Sequence, residues 1–413
     1  MSMKKKTTNL RITREEARNI LFDIKTECKK EKVVIEECYG RVIAEDIVAK
    51  QNVPPFSRSP LDGYAFRGED TAEASEDHPV VLKITEEIPA GGVPHIPLTE
   101  GFAAKILTGA PVPEGCSAIR RYEEVEFTED TVTLREPVRP GSNIVPEGND
   151  IQTGRKIACA GEIITPPLAG MLASLGYAEV PVYKRPKIAI ISTGSELAEP
   201  EEELLPGKIH SSSYHMLRGY LEEAGAIVGE NRIIPDRLEC ITEELEKKLE
   251  TADMIITTGG VSVGDYDLMP AAAEKIGAER LFWKVRFRPG GSILAAEKNG
   301  KLILGLSGNP TSAMLALHLI GIPFIKKLEG RPAKVPERIR VELAEPIEKD
   351  SPFGRLIRGR LIIEEGKCYF KSVDYKGNGA LSSVIGCDLI ADIPQDTPPL
   401  AAGTIVDAYR ITR

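Results

Sequence analysis

The spacing of apolar residues changes character along the chain, and each change predicts a different kind of element. In residues 13–30, TREEARNILFDIKTECKK, the apolar Ala17, Ile20, Leu21 and Ile24 recur at helical spacing. Thr13 is placed as N-cap, with Glu16 three residues on to complete a capping box. EKVVIEECYGRVIAEDIVA then reads as strand, turn and strand. From 51 to about 140 the apolar runs are short (HPVVLKI, FAAKILTG, VEFTEDTVTLRE) and prolines and glycines are dense. That texture predicts a small β-rich domain with an elaborate loop, PPFSRSPLDGYAF. Residues 141–180 return to mixed helix and strand, with PPLAGMLASLGY a helix opened by proline. Residues 51–140 thus read as an insertion into an N-terminal mixed α/β domain made of 1–50 and 141–180.

PVYKRPK (181–187) reads as a linker, and a regular alternation follows it. KIAIIST is a buried strand, SSSYHMLRGYLEEAG a helix and AIVGENRII a strand. DRLECITEELEKKLETA is a helix, DMIITTGG a strand and DLMPAAAEKIG a helix. RLFWKVRFRPGG and KLILGLSGNP are strands, and TSAMLALHLIGIPFIKKLEG is a final helix. Such alternation over 181–330 predicts a mostly parallel sheet covered on both faces. RPAKVPE marks another boundary, and 331–413 alternates strands and turns as a small C-terminal β domain. The predicted fold class is multidomain α/β plus β.

Length agrees: 413 residues exceed one ordinary core and suggest two to four domains. The net charge of −9 argues against broad electrostatic binding to nucleic acid or an anionic membrane. The longest apolar run, AMLALHLIGIPFI (313–325), is shorter than a bilayer span and contains His318 and Pro323. The N-terminal MSMKKKTTNLR has no apolar signal region behind it, so a cytoplasmic location is expected. The cysteines (28, 38, 116, 159, 240, 368, 387) stand singly without a C-x-x-C pair, as reduced thiols would. Histidines 78, 95, 210, 215 and 318 lack metal-ligand spacing, which argues against zinc hydrolase chemistry.

In an open parallel sheet, ligands bind beyond the C-terminal ends of the strands, and the glycines of this chain collect there. ISTGSE carries Thr193 and Gly194. TTGGVSVGD carries Gly259, Gly260, Ser262 and Gly264. FRPGGS carries Gly290, and GLSGNP carries Gly308, Asn309 and Pro310. Glycine lets backbone N–H groups approach a ligand closely, and helix N-termini favour anions. Asn309 or Thr311 can cap the last helix, with Pro310 in its first turn. Neither G-x-G-x-x-G nor G-x-x-x-x-G-K-[ST] is present, so spacing alone leaves phosphate binding and plain tight turns both open.

Carboxylates fall at the same edge: Glu196, Asp236, Asp265 and Asp267. Beside a phosphate they are repulsive unless a cation intervenes, and Mg²⁺ suits one or two carboxylates plus phosphate oxygens. The competing reading has these acids capping helices, Asp236 as an N-cap, or facing solvent. Arg286 and Arg288 alternate on a predicted strand and so share a face. They serve either as anion ligands or as solvated edge charges.

Several stretches, taken together and in order, resemble the molybdopterin molybdenumtransferases of the MoeA and gephyrin E-domain family. These are PPFSRSPLDGYAF, ILTGAPVPEGCSAI, GSNIVPEGNDI, ISTGSEL, TTGGVSVGDYD and GLSGNPTSA. The resemblance implies a homodimer of four-domain subunits. It implies Mg²⁺-dependent insertion of molybdate into the dithiolene of adenylylated molybdopterin, with release of AMP. It also implies a cleft between the sheet domain of one subunit and the β-rich domain of the other. Carried over by motif, Glu196, Asp236 and Asp267 lie around metal and phosphates. Asp62, Thr108 and Asp150 reach toward the molybdate or pterin end, and Arg288 stands at the first lysine of the family's KPGKP. The chain departs from the pattern at Ser117, Val145, Ser195, Gly291, Ser292 and Ser307. Arg58, Arg120, Arg121 and Arg286 are candidates to compensate, and restoring Val145→Arg with Gly291→Lys is expected to raise activity. The departures leave open a carrier or scaffold for molybdopterin or its nucleotide, and a tungstate-inserting variant.

Overall fold

The computed structural model describes residues 12–261, 268–331, 335–373 and 380–411. Thr13 caps the helix Arg14–Phe22 through a complete capping box with Glu16. The helix stops well short of residue 30. The Lys327 ammonium donates to the carbonyls of Phe22 and Ile24, so a tertiary contact takes the last-turn acceptors that further helix would use. The chain instead enters the strand Lys30–Val34, antiparallel to Glu179–Tyr183. Ile47–Val48 likewise pairs with Lys156–Ala158. Segments on either side of 51–140 therefore share one core, with Ile43, Ile47, Ile164, Leu172 and Val180 at its centre.

The intervening stretch forms a six-stranded sheet. Its order is Ala118–Arg121, Gly63–Phe66, Phe102–Ile106, Val80–Ile88, Thr131–Leu134, Glu126–Phe127. Alternation along it is clean: Tyr64 and Phe66 face one core with Leu82 and Val132, and Ala65 faces another with Ile88 and Ile106.

Lys187–Thr193, Met254–Thr258 and Lys301–Leu306 form the parallel centre of a seven-stranded sheet. Their continuous apolar runs are buried on both faces. Ile188 and Ile190 pack with Leu217, Leu221 and Phe324, and Ala189 and Ile191 with Ile241 and Leu245. At one edge AIVGENRII is two short strands, Ile227–Val228 and Arg232–Ile234, rather than one. The other edge departs further from expectation. The strand Glu279–Trp283 ends at Lys284, whose φ of 77° breaks the extended run. Leu294–Lys298, given no element from its pattern, returns antiparallel between Glu279–Trp283 and Lys301–Leu306. Two reversals leave Glu279–Trp283 running in the direction of the central strands, so its exit loop reaches the same C-terminal edge as theirs.

The last helix is composite: Pro310–Ala316, a π turn Leu317–Gly321, and Ile322–Leu328. At 19 residues, Pro310–Leu328 is long and apolar enough to cross a membrane, unlike the shorter run counted from sequence, yet it is 83% buried as a core helix. The C-terminal part is a closed five-stranded barrel, Arg338–Leu343, Lys367–Ser372, Arg355–Glu364, Leu389–Ile393 and Ile405–Arg410.

His318 sits in the π turn, its ring edge-on to Tyr220 at 4.5 Å and its Nε2 enclosed without a hydrogen-bond partner. Burial, with a smaller contribution from Lys326, pushes its pKa down to about 4. The unfolded chain takes up this proton near pH 6.5 and the folded chain does not, so stability falls as pH drops from about 6.5 toward 4. By pH 5 the expected loss from this group is about 2 kcal/mol. Urea unfolding of wild type and His318→Gln at pH 7 and pH 5 checks it: the variant should lose less stability across the interval, and equal losses would exclude His318 as the cause.

Candidate functional site

At the C-terminal edge of the central sheet, glycines let three loops touch. A Cβ on Gly259 would stand 2.5 Å from the Thr193 carbonyl oxygen, and one on Gly308 would stand 3.5 Å from Gly259 Cα. Gly259 and Gly260 both have positive φ, 98° and 63°, which a side chain would resist. Thr193 is buried beneath them, with Oγ1 donating to the Thr258 carbonyl at 3.4 Å. The Glu196 carboxylate folds over Gly194, 2.7 Å from where a Cβ would be. Asp236 is not the cap of the following helix. That position is Arg237, which makes no side-chain cap, and Asp236 Oδ2 instead accepts from the Ser195 N–H at 3.2 Å. Lys208 donates to the Ser195 carbonyl at 2.6 Å, so Ser195 is held by its backbone on both sides. Asn309 caps Pro310–Ala316, accepting from the N–H groups of Thr311 and Ser312 at 3.1 and 3.4 Å, with Pro310 at the helix start. Ser262, Gly264, Asp265 and Asp267 lie outside the described residues. Among the described residues no three His, Cys, Asp or Glu side chains converge. Glu196 and Asp236 flank Ser195 as hard oxygen donors of the type Mg²⁺ takes.

Beside this edge lies a cavity of about 710 Å³, lined by Arg14, Lys284, Arg286, Arg288, Gly290 and Phe353 among others. Segment 284–292 shapes it. Although no strand, it keeps the expected alternation: Val285 and Phe287 are buried, and Arg286 and Arg288 exposed. The Arg286 N–H donates to the Ile12 carbonyl at 2.7 Å, and the Arg288 N–H to that of Gly354 at 3.0 Å. The cavity wall is thereby stitched to the N-terminal segment and to the barrel. The Arg288 guanidinium lies 3.9 Å from the centre of the Phe353 ring, which fixes its plane. Gly290 and Gly291 are required by close approach. A Cβ on the first would meet the Ser312 carbonyl at 2.7 Å, and on the second the Val285 and Phe287 carbonyls at 2.4 and 2.5 Å.

Arg14 reaches the cavity from the first turn of its helix. Its Nη2 donates to both carboxylate oxygens of Asp392 at 2.8 Å, and Arg338 donates to Asp392 Oδ2 at 2.9 Å. Asp392, the one acid among the described residues lining the cavity, is thus neutralised, and Lys284 and Arg288 line the same space as cations suited to an oxyanion. Arg14, Lys284 and Phe353 escaped sequence reasoning. Arg14 reads as an ordinary helix residue, and nothing local reports that the barrel folds back against it.

Asp62, Thr108 and Asp150 are gathered by one loop, residues 53–62. Asp62 Oδ1 accepts from both the N–H and the hydroxyl of Thr108 at 2.7 Å. These bonds hold its carboxyl below the usual carboxylate range. The exposed Asp150 is tied to the same loop through its N–H, which donates to the Val53 carbonyl at 3.0 Å. Val145 exchanges backbone hydrogen bonds with Arg58 at 2.9 and 3.0 Å, placing that arginine beside the position where the family cation is missing. Arg120 is engaged by Glu124 and Glu136 and is no spare cation.

A split N-terminal unit with a β-rich insert, a glycine-edged α/β sheet and a terminal β barrel define a multidomain protein built around a central open α/β domain. Three family models match in order: the MoeA N-terminal region (domain I and II) over 12–176, a probable molybdopterin binding domain over 189–327, and the MoeA C-terminal region (domain IV) over 340–411. The chain belongs to the MoeA family. A protein of Staphylococcus epidermidis named molybdopterin molybdenumtransferase is 35% identical over 407 residues, 98% of this chain and 96% of its own length. One of Staphylococcus aureus with the same name is 35% identical over 91% of this chain and 90% of its own length. The crystal structure of a molybdopterin biosynthesis MoeA protein from Pyrococcus horikoshii superposes with a TM-score of 0.87 at 30% identity, covering 98% of this chain and 100% of that one.

The backbone around Gly291 overturns one expectation. A lysine there cannot restore the family cation, because its Cβ would overlap two carbonyl oxygens. Gly291→Lys is expected to destabilise the fold by about 1–3 kcal/mol and to bring no gain in anion affinity. Thermal melting and molybdate titration check this; an unchanged melting temperature with tighter binding would overturn it.

Proposed function

We propose that this chain acts in molybdenum cofactor biosynthesis as a molybdopterin molybdenumtransferase, inserting molybdate into adenylylated molybdopterin with release of AMP. The observation that carries the reading is the cation-lined cavity of about 710 Å³ beside the glycine edge. It offers two kinds of anion site side by side: fixed guanidinium groups for an oxyanion, and backbone at strand ends and helix starts for phosphates. The names of the relatives support the same reading.

In this reading Glu196 and Asp236, with Asp265 and Asp267 assigned from the sequence, would hold Mg²⁺, whose charge would offset that of carboxylates and phosphates. Thr193, Gly194, Gly259, Gly260, Gly290, Gly308, Asn309 and Pro310 line the path of the nucleotide, and Ser262 and Gly264 are assigned to it from the sequence alone. Arg288 holds the oxyanion, its plane set by Phe353. Asp62, Thr108 and Asp150 come from the other subunit of a homodimer to complete the cleft. Rate enhancement then comes from placing oxyanion and dithiolene together and from preorganised charge. A cytoplasmic location belongs to the same proposal.

The experiment is to mix the purified chain with adenylylated molybdopterin, molybdate and Mg²⁺ and to measure AMP. Release is expected, faster than without molybdate. Its absence, where a homologue of known activity succeeds, would overturn the reading. Asp62→Asn should slow release by about a hundredfold while the melting temperature stays within about 2 °C; undiminished release removes Asp62 from the site. Sedimentation should show a dimer, and a monomer that still turns over would contradict the shared cleft.

A further inference from the structure

A second cavity, of about 680 Å³, opens on the six-stranded sheet of the insert, away from the cation-lined cavity. Its floor is Tyr64, which is 1% exposed. Tyr122 stands edge-on to it with centroids 5.2 Å apart, and Phe127 lies at 5.5 Å from Tyr64 and 5.9 Å from Tyr122. Phe127 is 54% exposed, so the cluster presents an uncovered aromatic surface. The Tyr122 hydroxyl is enclosed with no hydrogen-bond partner. An enclosed hydroxyl without a partner marks this wall as incompletely satisfied.

A bulge builds the polar wall. Val80–Ile88 and Phe102–Ile106 pair in parallel, with Ile84 opposite Ala103 but Glu87 opposite Lys105, one residue out of step. Bulges re-aim side chains, and this one sets Glu87 against Lys105 at 3.0 Å on the cavity rim. The neighbouring Glu86 is otherwise occupied, accepting from the N–H groups of His95 and Ile96. The cavity therefore combines an aromatic surface, a carboxylate and an ammonium. It also adjoins the Asp62–Thr108 pair. Tyr64 lies two residues beyond Asp62, on the strand that the 53–62 loop feeds, Lys105 lies three residues from Thr108, and the Tyr122 N–H donates to the Asp62 carbonyl at 3.4 Å.

We infer that this cavity binds a planar heterocycle carrying a 2-amino-4-oxopyrimidine edge, the edge shared by pterins and guanine. Two adjacent N–H donors on such an edge match the Glu87 carboxylate in bidentate fashion, and its carbonyl matches Lys105. The ring face packs on Phe127 and Tyr122. Resting on the proposed function, the occupant during turnover is the pterin of the substrate, and its side chain then emerges beside Asp62 and Thr108.

The test uses the full-length protein and the fluorescence of 6-hydroxymethylpterin, with guanosine and AMP as competitors. Binding by the wild type is expected, displaced by guanosine, which carries the same edge, and undisturbed by AMP; failure of guanosine to displace it would overturn the reading of that edge. Phe127→Ala should weaken pterin binding about tenfold, as loss of a stacking partner does, and Glu87→Gln should weaken it as well. Neither change should alter AMP affinity. No pterin binding by the wild type, wild-type affinity in the double variant Phe127→Ala with Glu87→Gln, or competition by AMP would each overturn the inference. AMP release with an unchanged KM in the double variant would sink this inference and leave the proposed function standing. Pterin binding lost in the variants without any AMP release would do the reverse.

Discussion

One buried carboxylate constrains how the parts of this chain meet. Asp392 is 8% exposed, and a carboxyl group at that depth needs fixed partners around it. The partners come from distant places: Arg14 from the N-terminal helix, Arg338 from the start of the barrel, and the Tyr409 hydroxyl from its last strand. Both guanidinium groups also lie over the Tyr409 ring. Satisfying Asp392 therefore fixes the barrel against the N-terminal helix. The segment 284–292, bonded to Ile12 on one side and Gly354 on the other, can then run only between them. The basic cavity is a by-product of that junction, and its cations are held apart by contacts that have nothing to do with a ligand.

Much of the fold was legible because its signals are local. Thr13 and Glu16 announced a helix start, continuous apolar runs announced the parallel strands, and Asn309–Pro310 announced the last helix. Where reading failed, a distant partner had intervened. Lys327 ended the first helix at Phe22 from more than 300 residues away. Leu294–Lys298 became a strand because it fills the gap between two others, and its sequence, LAAEK, carries no strand preference of its own. The π turn at Leu317–Gly321 had no signal at all.

The candidate site was legible in a different way. The glycine loops were found because a parallel sheet delivers its strand ends to one edge, and the close approaches at Gly259 and Gly291 give those glycines a steric reason. Asp62 and Thr108 were marked by motif, and their mutual hydrogen bonds supply the physical link that motif alone does not. Asp236 was assigned to the metal, with a helix cap as the competing reading; it is not the cap, and its carboxylate braces the Ser195 N–H. Arg14, Lys284 and Phe353 were invisible, since a cavity between three parts of a chain is a property of their junction. No single stretch encodes it.

The neck of the inserted sheet has a consequence for how such a chain tolerates change. Its two crossings are bonded to one another, Val53 N–H to Ile151 carbonyl at 2.8 Å and Gly148 N–H to Pro54 carbonyl at 2.9 Å. Entry and exit therefore sit side by side, and the remainder closes its own core through the strand pairs flanking the gap. A module attached in this manner can be shortened, enlarged or exchanged for a relative's without re-threading the host. Evolution is free to retune whatever the insert contacts while the rest of the molecule keeps its shape.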